Sequence, residues 1–471
     1  MADAVVVGAG PNGLAAAVAL ARQGVRVTVL EGAATIGGGT RSGEFTLPGL
    51  LHDQCAAVHP MALASPFLRG LGLERHGLVW RWPELELAHP LDAGEPGVLH
   101  RSPTRTAERL GTDGPGWYRT FAPLASRFDA LAADLLSPPL QLPSHPVALA
   151  RFAVRAALPA ALLARRWRTP AARALFAGIA AHAMTPLTAP GSSAIGLILA
   201  AAGQRHGWPV AEGGSRRVTD ALAARLAELG GRIETGRRVR SLAELPAADA
   251  VLLDLAPREA LAVCGDRLPT RVARGYARWR HGPAAFKVDL AVEGGIPWRD
   301  PDCRRAGTVH LGGTLAELTR TEALVAAGRM PERPFVLVAQ QYLADPTRSR
   351  GSVHPVWAYA HVPGGWPGDA TEAVLAQLER FAPGTRERVL ARTSTTVAQL
   401  AVHNPNYVAG DILTGATTPR QLVLRPRPAV APYRTGIPGV FLCSAATPPG
   451  PGVHGMCGFN AAQSALRHLA R

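Results

Sequence analysis

The chain has 471 residues, enough for two or three domains, and 47% of them are hydrophobic, enough to fill the cores of those domains. Its formal charge of +15 comes from scattered arginines rather than basic runs, which does not make a nucleic-acid footprint. Five cysteines with neither a CxxC pair nor metal-ligand spacing read as free thiols in a reducing cytoplasm, and no metal site is expected.

From the N-terminus, Val5, Val6 and Val7 form a β-branched run suited to a buried parallel strand, and Gly8, Gly10 and Gly13 follow at GxGxxG spacing. Gly8 permits the tight turn, Gly10 lets a pyrophosphate approach the backbone, and Gly13 lets the helix starting near Pro11 pack closely on the strand. That helix offers phosphates its free N–H groups and the positive end of its dipole. Val25, Val27, Val29 and Leu30 make a second strand closed by Glu31, whose carboxylate can accept both hydroxyls of an adenosine ribose and repels a 2′-phosphate. Strand, turn, helix, strand and acid together predict dinucleotide binding. No basic region precedes a hydrophobic stretch here, so no signal peptide is expected.

A second glycine-rich turn, Ile36-Gly37-Gly38-Gly39-Thr40-Arg41, can cover the other side of the same pyrophosphate. Residues 100–210 are rich in Ala, Leu and Arg at helical spacing, broken at Ser137-Pro138-Pro139 and at 186–190. The apolar stretches at 145–165 and 176–202 are interrupted by Arg151, Arg155 and His182, so neither reads as a membrane span. Their apolar faces fit a hydrophobic substrate tunnel, a surface that touches membrane, or an ordinary core, and His182 reads as a core histidine.

Beyond Gly213-Gly214 the spacing predicts a helix over 218–229, a strand over 232–239 and another over 250–255. Strands over 335–341 and 356–361 and a helix over 371–381 follow. Asp345 and Arg348, in DPTRSR, read as a surface turn, and Asn404-Pro405-Asn406 as a structural turn, with Asn406 and Tyr407 as an alternative substrate lining. Lys287 is the only lysine, in a strand-like segment at 286–292. Lysine can lose its proton when desolvated and arginine cannot, so Lys287 is either a site residue needing a neutral amine or a chance survivor of composition bias. The chain closes with a strand at 439–443, the loop TPPGPGVHG and a helix over 460–469. Such a loop can bring N–H groups up to a flat ring, and a helix N-terminus favours the negative charge of a reduced isoalloxazine, which suits a flavin.

The opening fingerprint, the turn at 37–39, GGSRRVTDALAARLAELGGRIETGRRV (213–239), NPNYVAGDI (404–412) and LCSAATPPGPGVHG (442–455) resemble the phytoene desaturase-like branch of the FAD-dependent amine oxidase superfamily. The bacterial branch related to pyridine nucleotide-disulfide oxidoreductase domain-containing protein 2 is the one it resembles. The resemblance implies noncovalent FAD, with Gly8, Gly10, Gly13 and Glu31 on the ADP half, Gly38, Gly39 and Arg41 near the pyrophosphate, and Val239 on the adenine. It places Ser444, Ala445, Gly452, Val453 and His454 along the ribityl chain and flavin ring. Many relatives carry Gly-Asp where Cys443-Ser444-Ala445 stands, and carotenoid desaturases often carry Gly-Ala; the CxxxxC pair of disulfide reductases is missing.

The fold class expected is α/β: a discontinuous Rossmann-type FAD-binding domain from 1–95, 210–270 and 405–471, plus a mixed α+β substrate domain from 96–209 and 271–404. The activity expected is dehydrogenation or desaturation of a largely apolar small molecule by hydride transfer to flavin N5, with oxygen or a quinone as electron acceptor. Oxidation of a C–N bond is the first alternative, and a non-turnover flavoprotein or reduced-flavin isomerase the second. His454 can act as a base or bond a flavin carbonyl, or simply cap the last helix, and Lys287 is the other catalytic candidate. The protein is expected in the cytoplasm, with peripheral membrane contact as an open alternative and no nucleic-acid partner.

Overall fold

The computed structural model describes residues 2–138 and 141–470, so Pro139 of the expected turn at Ser137-Pro138-Pro139 lies outside the described residues. A five-stranded parallel sheet runs in the order Val440–Leu442, Ala250–Leu253, Asp3–Val7, Arg26–Leu30, Arg232–Glu234. In its register Val6 faces Leu252 on one side and Val29 on the other. Strands this apolar are stable only when covered on both faces, and they are. The helices Pro11–Ala21 and Met456–Leu469 lie on one side, and Val263, Val272 and Tyr276 close the other.

Two glycines set how tightly this domain closes. A Cβ on Gly13 would stand 2.0 Å from the Gly8 carbonyl oxygen, and one on Gly458 would stand 1.8 Å from the Asn12 oxygen. The first helix therefore sits directly on the strand-end turn, and the last helix directly on the first.

The second sheet has seven strands in the order Val389–Thr395, Ala284–Glu293, Val353–Val362, Val336–Ala339, Ala306–Leu311, Leu85–His89, Gly97–Leu99. Alternation along Ala284–Glu293 turns Phe286, Val288, Leu290 and Val292 to a core with Trp298, Leu378 and Phe381. Ala285, Leu337, Ala339, Trp357 and Tyr359 face the other way, toward the helical part of the chain. That part packs Trp117, Phe121, Trp167 and Phe176 at its centre, with the Trp117 and Phe121 rings 4.4 Å apart. No helix among the described residues is long and apolar enough to cross a membrane.

The arrangement is the α/β one, with a dinucleotide-binding Rossmann domain and a second sheet domain. Three expectations are corrected. The strand Leu85–His89, inside the expected first FAD piece, belongs to the second sheet, where it pairs in parallel with Ala306–Leu311. The strand expected over 232–239 stops at Glu234, because Gly236 turns the chain at φ +69 and Arg237 N–H goes to the Glu31 carbonyl. Asp345 and Arg348 are not a surface turn: both are buried, and Arg348 Nη1 donates to Asp53 Oδ2 at 2.6 Å while its Nε donates to Asp345 Oδ2 at 3.0 Å.

Candidate functional site

The carboxyl ends of the parallel strands meet in one cavity of about 500 Å³. At its nucleotide end the strand Asp3–Val7 runs into Gly8, which takes φ +104 and donates its N–H to the Leu30 carbonyl at 2.8 Å. Glu31 ends the neighbouring strand. Its Oε2 accepts the Ala9 N–H and its Oε1 the Ala33 N–H, both at 2.8 Å, so the carboxylate is fixed while Oε2 keeps a further lone pair. Arg41 Nη2 lies 3.4 Å from Glu31 Oε1, and the rest of its guanidinium is held by the Thr35 and His403 carbonyls. Arg237, Arg238 and Val239 reach this end because the chain turned away from the sheet at Gly236.

Beneath the glycine turn stands Asp254, at the end of the strand Ala250–Leu253. Its Oδ2 accepts the Gly13 N–H at 2.9 Å. A Cβ on Gly10 would stand 3.0 Å from that oxygen. Burial, with the nearby Glu31 charge adding to it, pushes the Asp254 carboxyl up to about 7. Asn406 holds the backbone on either side of it, donating from Nδ2 to the Asp254 carbonyl and accepting the Ala256 N–H on Oδ1.

The covering turn closes from above: a Cβ on Gly38 would approach the Gly10 Cα at 3.1 Å, and one on Gly39 would meet Tyr407 Oη at 2.0 Å. Cys55, Ala56 and Ala57 continue this wall. Burial and the neighbouring Cys55 raise the Tyr407 phenol well above its ordinary value, so it remains a neutral group.

At the far end Ser444, Ala445, Gly452 and Val453 line the cavity beside Gly39 and Tyr407. His454 follows them in sequence but its ring turns inward. It is buried, its Nδ1 accepts the Met456 N–H at 3.0 Å, and burial lowers it to about 4; the contact is that of a cap on the last helix. Lys287 lies behind the wall, paired with Asp289, whose Oδ1 is 3.3 Å from His52 Nδ1. The structure therefore gathers Gly8, Gly10, Glu31, Gly38, Gly39, Arg41, Val239, Ser444, Ala445, Gly452 and Val453 on the cavity and leaves Lys287 and His454 off its lining, with Gly13 just under the turn.

Beyond the C-terminal loop the cavity opens into a chamber lined by His182, Trp208, Thr308, Leu337, Trp357, Tyr359 and Ile412. Trp357 and Tyr359, two apart on one strand, share a face and meet edge-on at 5.1 Å. His182 Nε2 lies 2.9 Å from His310 Nε2. Burial lowers His182 to about 3, with the nearby His361 adding to it, so the pair is neutral at physiological pH. Sequence reasoning misses Asp254 and sets His182 aside. A lone carboxylate ending the apolar run VLLD was the available signal for the first; the second had none, because His310 is 128 residues away.

Two fixed acceptors at Glu31, bare backbone at Gly8 and Gly10, and a second glycine turn facing the first fit a dinucleotide, with its ribose at Glu31 and its phosphates between the turns. Residues 6–68 match the NAD(P)-binding Rossmann-like domain family. Over 99% of its length the chain is 26% identical to mouse pyridine nucleotide-disulfide oxidoreductase domain-containing protein 2, covering 94% of that protein. It is 29% identical to one of the limonene dehydrogenase subunits of Castellaniella defragrans over 29% of this chain and 24% of that protein. The fold superimposes on putrescine oxidase bound to putrescine with a TM-score of 0.62 at 19% identity, covering 100% of this chain and 99% of that one.

Proposed function

We propose that the protein is an FAD-dependent oxidoreductase that dehydrogenates an uncharged, largely apolar small molecule. One observation carries this reading: a single cavity runs from the ribose acceptors of Glu31, past the facing glycine turns and the C-terminal loop, to an aromatic chamber. A nicotinamide enzyme has no need of the second arm that Ser444, Ala445, Gly452 and Val453 bring to that cavity. FAD, when bound, supplies the hydride acceptor.

The chain's own residues bind, orient and exclude water. Glu31 holds the ribose and the glycine turns receive the pyrophosphate. Leu337, Trp357, Tyr359 and Trp208 would surround the substrate and displace water, fixing the C–H bond to be broken. His182, with Nε2 engaged by His310, leaves Nδ1 to hydrogen-bond the substrate as a neutral imidazole.

Amine oxidation is the second reading, favoured by the aromatic pair Trp357 and Tyr359 and by the likeness of fold to putrescine oxidase. Against it, the acidic residues lining the cavity are Glu31, Asp254 and Glu259, all at the nucleotide end, so among the described residues an ammonium group has no carboxylate in the chamber. The partial likeness to a limonene dehydrogenase favours a hydrocarbon-like substrate. Anaerobic mixing separates the two: bleaching of the flavin by neutral alkenes supports dehydrogenation, and bleaching by amines alone overturns it in favour of C–N oxidation.

A further inference from the structure

A second pocket, of about 660 Å³, lies behind the C-terminal glycine loop. Arg271, Arg425, Arg427 and Arg434 line it, and no Asp or Glu does. Elsewhere the arginines of this chain pair freely with carboxylates, as Arg348 does with Asp53, but among the described residues none of these four forms an ion pair.

Arg425 is the buried member. It is only 1% exposed, and no hydrogen-bond partner meets its buried Nη2; the buried Nε of Arg427 is also without one. The other nitrogens of Arg425 hold backbone, Nε donating to the Gln421 carbonyl at 3.0 Å and Nη1 to the Ala445 carbonyl at 3.1 Å. Burial lowers even this guanidinium to about 10, although the charge of Asp411 acts the other way. The Trp279 ring, 5.8 Å from the Arg425 guanidinium carbon, compensates this buried charge in part, and a nearby anion would lower its cost further.

The mouth of the pocket has the opposite character. Val423 and Val430 are 59% and 85% exposed, and Leu424 is 42% exposed, beside Pro428 and Ala429. A cationic floor under an apolar lip suits a phosphate carried on, or presented beside, apolar chains. We propose that this pocket is a binding site for a phosphate group, with Arg271, Arg427 and Arg434 as its accessible cations and the buried charge of Arg425 behind them. The site is separate from the cofactor cavity, since Arg425 stands between the pocket and Ala445.

The phosphate can belong to an anionic lipid headgroup or to a free ion, and the holoprotein distinguishes them. Isothermal titration with inorganic phosphate reads the free ion; co-sedimentation with phosphatidylglycerol vesicles, against phosphatidylcholine vesicles, reads the headgroup. Saturable binding in either arm is expected, weakened about ten-fold or more by Arg427→Gln and by Arg271→Gln, which sits on the surface and keeps the fold intact. Arg151→Gln, on the exposed face of the helix Pro146–Ala156, is expected to change neither. Absence of binding in both arms overturns the proposal. So does binding that survives the pocket variants or falls equally with Arg151→Gln, since that is attraction by surface charge alone.

Discussion

Asp254 and Gly13 are 241 residues apart, and the Asp254 Oδ2 accepts the Gly13 N–H at 2.9 Å. The bond fastens the start of the first helix to the end of a neighbouring strand. It also puts an ionisable carboxyl under the turn where a pyrophosphate would sit.

That carboxyl should make cofactor retention depend on pH. Asp254 keeps its proton in the fold to about pH 7, whereas a free carboxyl at 3.8 has already lost its own. Between those values the folded state binds more protons than the unfolded one, so stability contributed by this group falls as pH rises. Above pH 7 its charge would also repel the phosphates. Asp254→Asn keeps an acceptor for Gly13 without the charge. FAD affinity measured by flavin fluorescence from pH 6 to 8 should fall with rising pH in the wild type and stay level in the variant; parallel curves would contradict this.

Buried histidines shift stability the other way. His89 and His454 are each lowered to about 4, and His182 to about 3, by burial. In the unfolded chain they take up protons near 6.5, so the fold loses stability as pH drops from 6.5 through 4. The groups facing His182 are His310 and His361, and Glu322 lies 2.9 Å from His361 Nδ1, so no carboxylate touches His182 directly. Spectra of 15N-histidine-labelled protein should show His182 as a neutral imidazole down to pH 5. A midpoint near 6.5 would remove the neutral acceptor from the chamber.

Arg348, buried between Asp53 and Asp345, joins the short strand His52–Asp53 to the connection between two strands of the second sheet, Val336–Ala339 and Val353–Val362. Arg348→Met strands two buried carboxylates and should cost about 3–5 kcal/mol in denaturant unfolding. Adding Asp53→Asn should restore part of that loss, and strictly additive losses would mean that the pair is not coupled.

The sequence patterns reveal what is encoded over short range. The fingerprint from Val5 to Glu31 was legible because turn, helix and strand form within thirty-one residues, and the glycine spacing has one geometric use. The helix over 371–381 was legible by its period alone, and the structure shows Thr371–Phe381. What escaped depends on distant partners. DPTRSR has the composition of an exposed turn and is buried only because Asp53, 295 residues away, accepts from Arg348. The strand at Arg232–Glu234 is shorter than its pattern suggests because Gly236 turns the chain and carries Val239 to the cavity instead of the sheet.

Glu31→Gln leaves one acceptor oxygen where the carboxylate presented two. Losing one charge-assisted hydrogen bond to a ribose hydroxyl should weaken FAD binding by about ten-fold or more. Equilibrium dialysis checks it, and an unchanged affinity would remove Glu31 from the ribose site.

Whatever dinucleotide occupies the cavity can be released from purified protein by denaturation and identified by its absorbance and mass. The expected result is a yellow protein that releases FAD, with the apoprotein regaining the same spectrum on addition of FAD. A colourless protein that takes up no FAD, or one that retains a nicotinamide dinucleotide instead, would contradict the assignment of this cavity to a flavin.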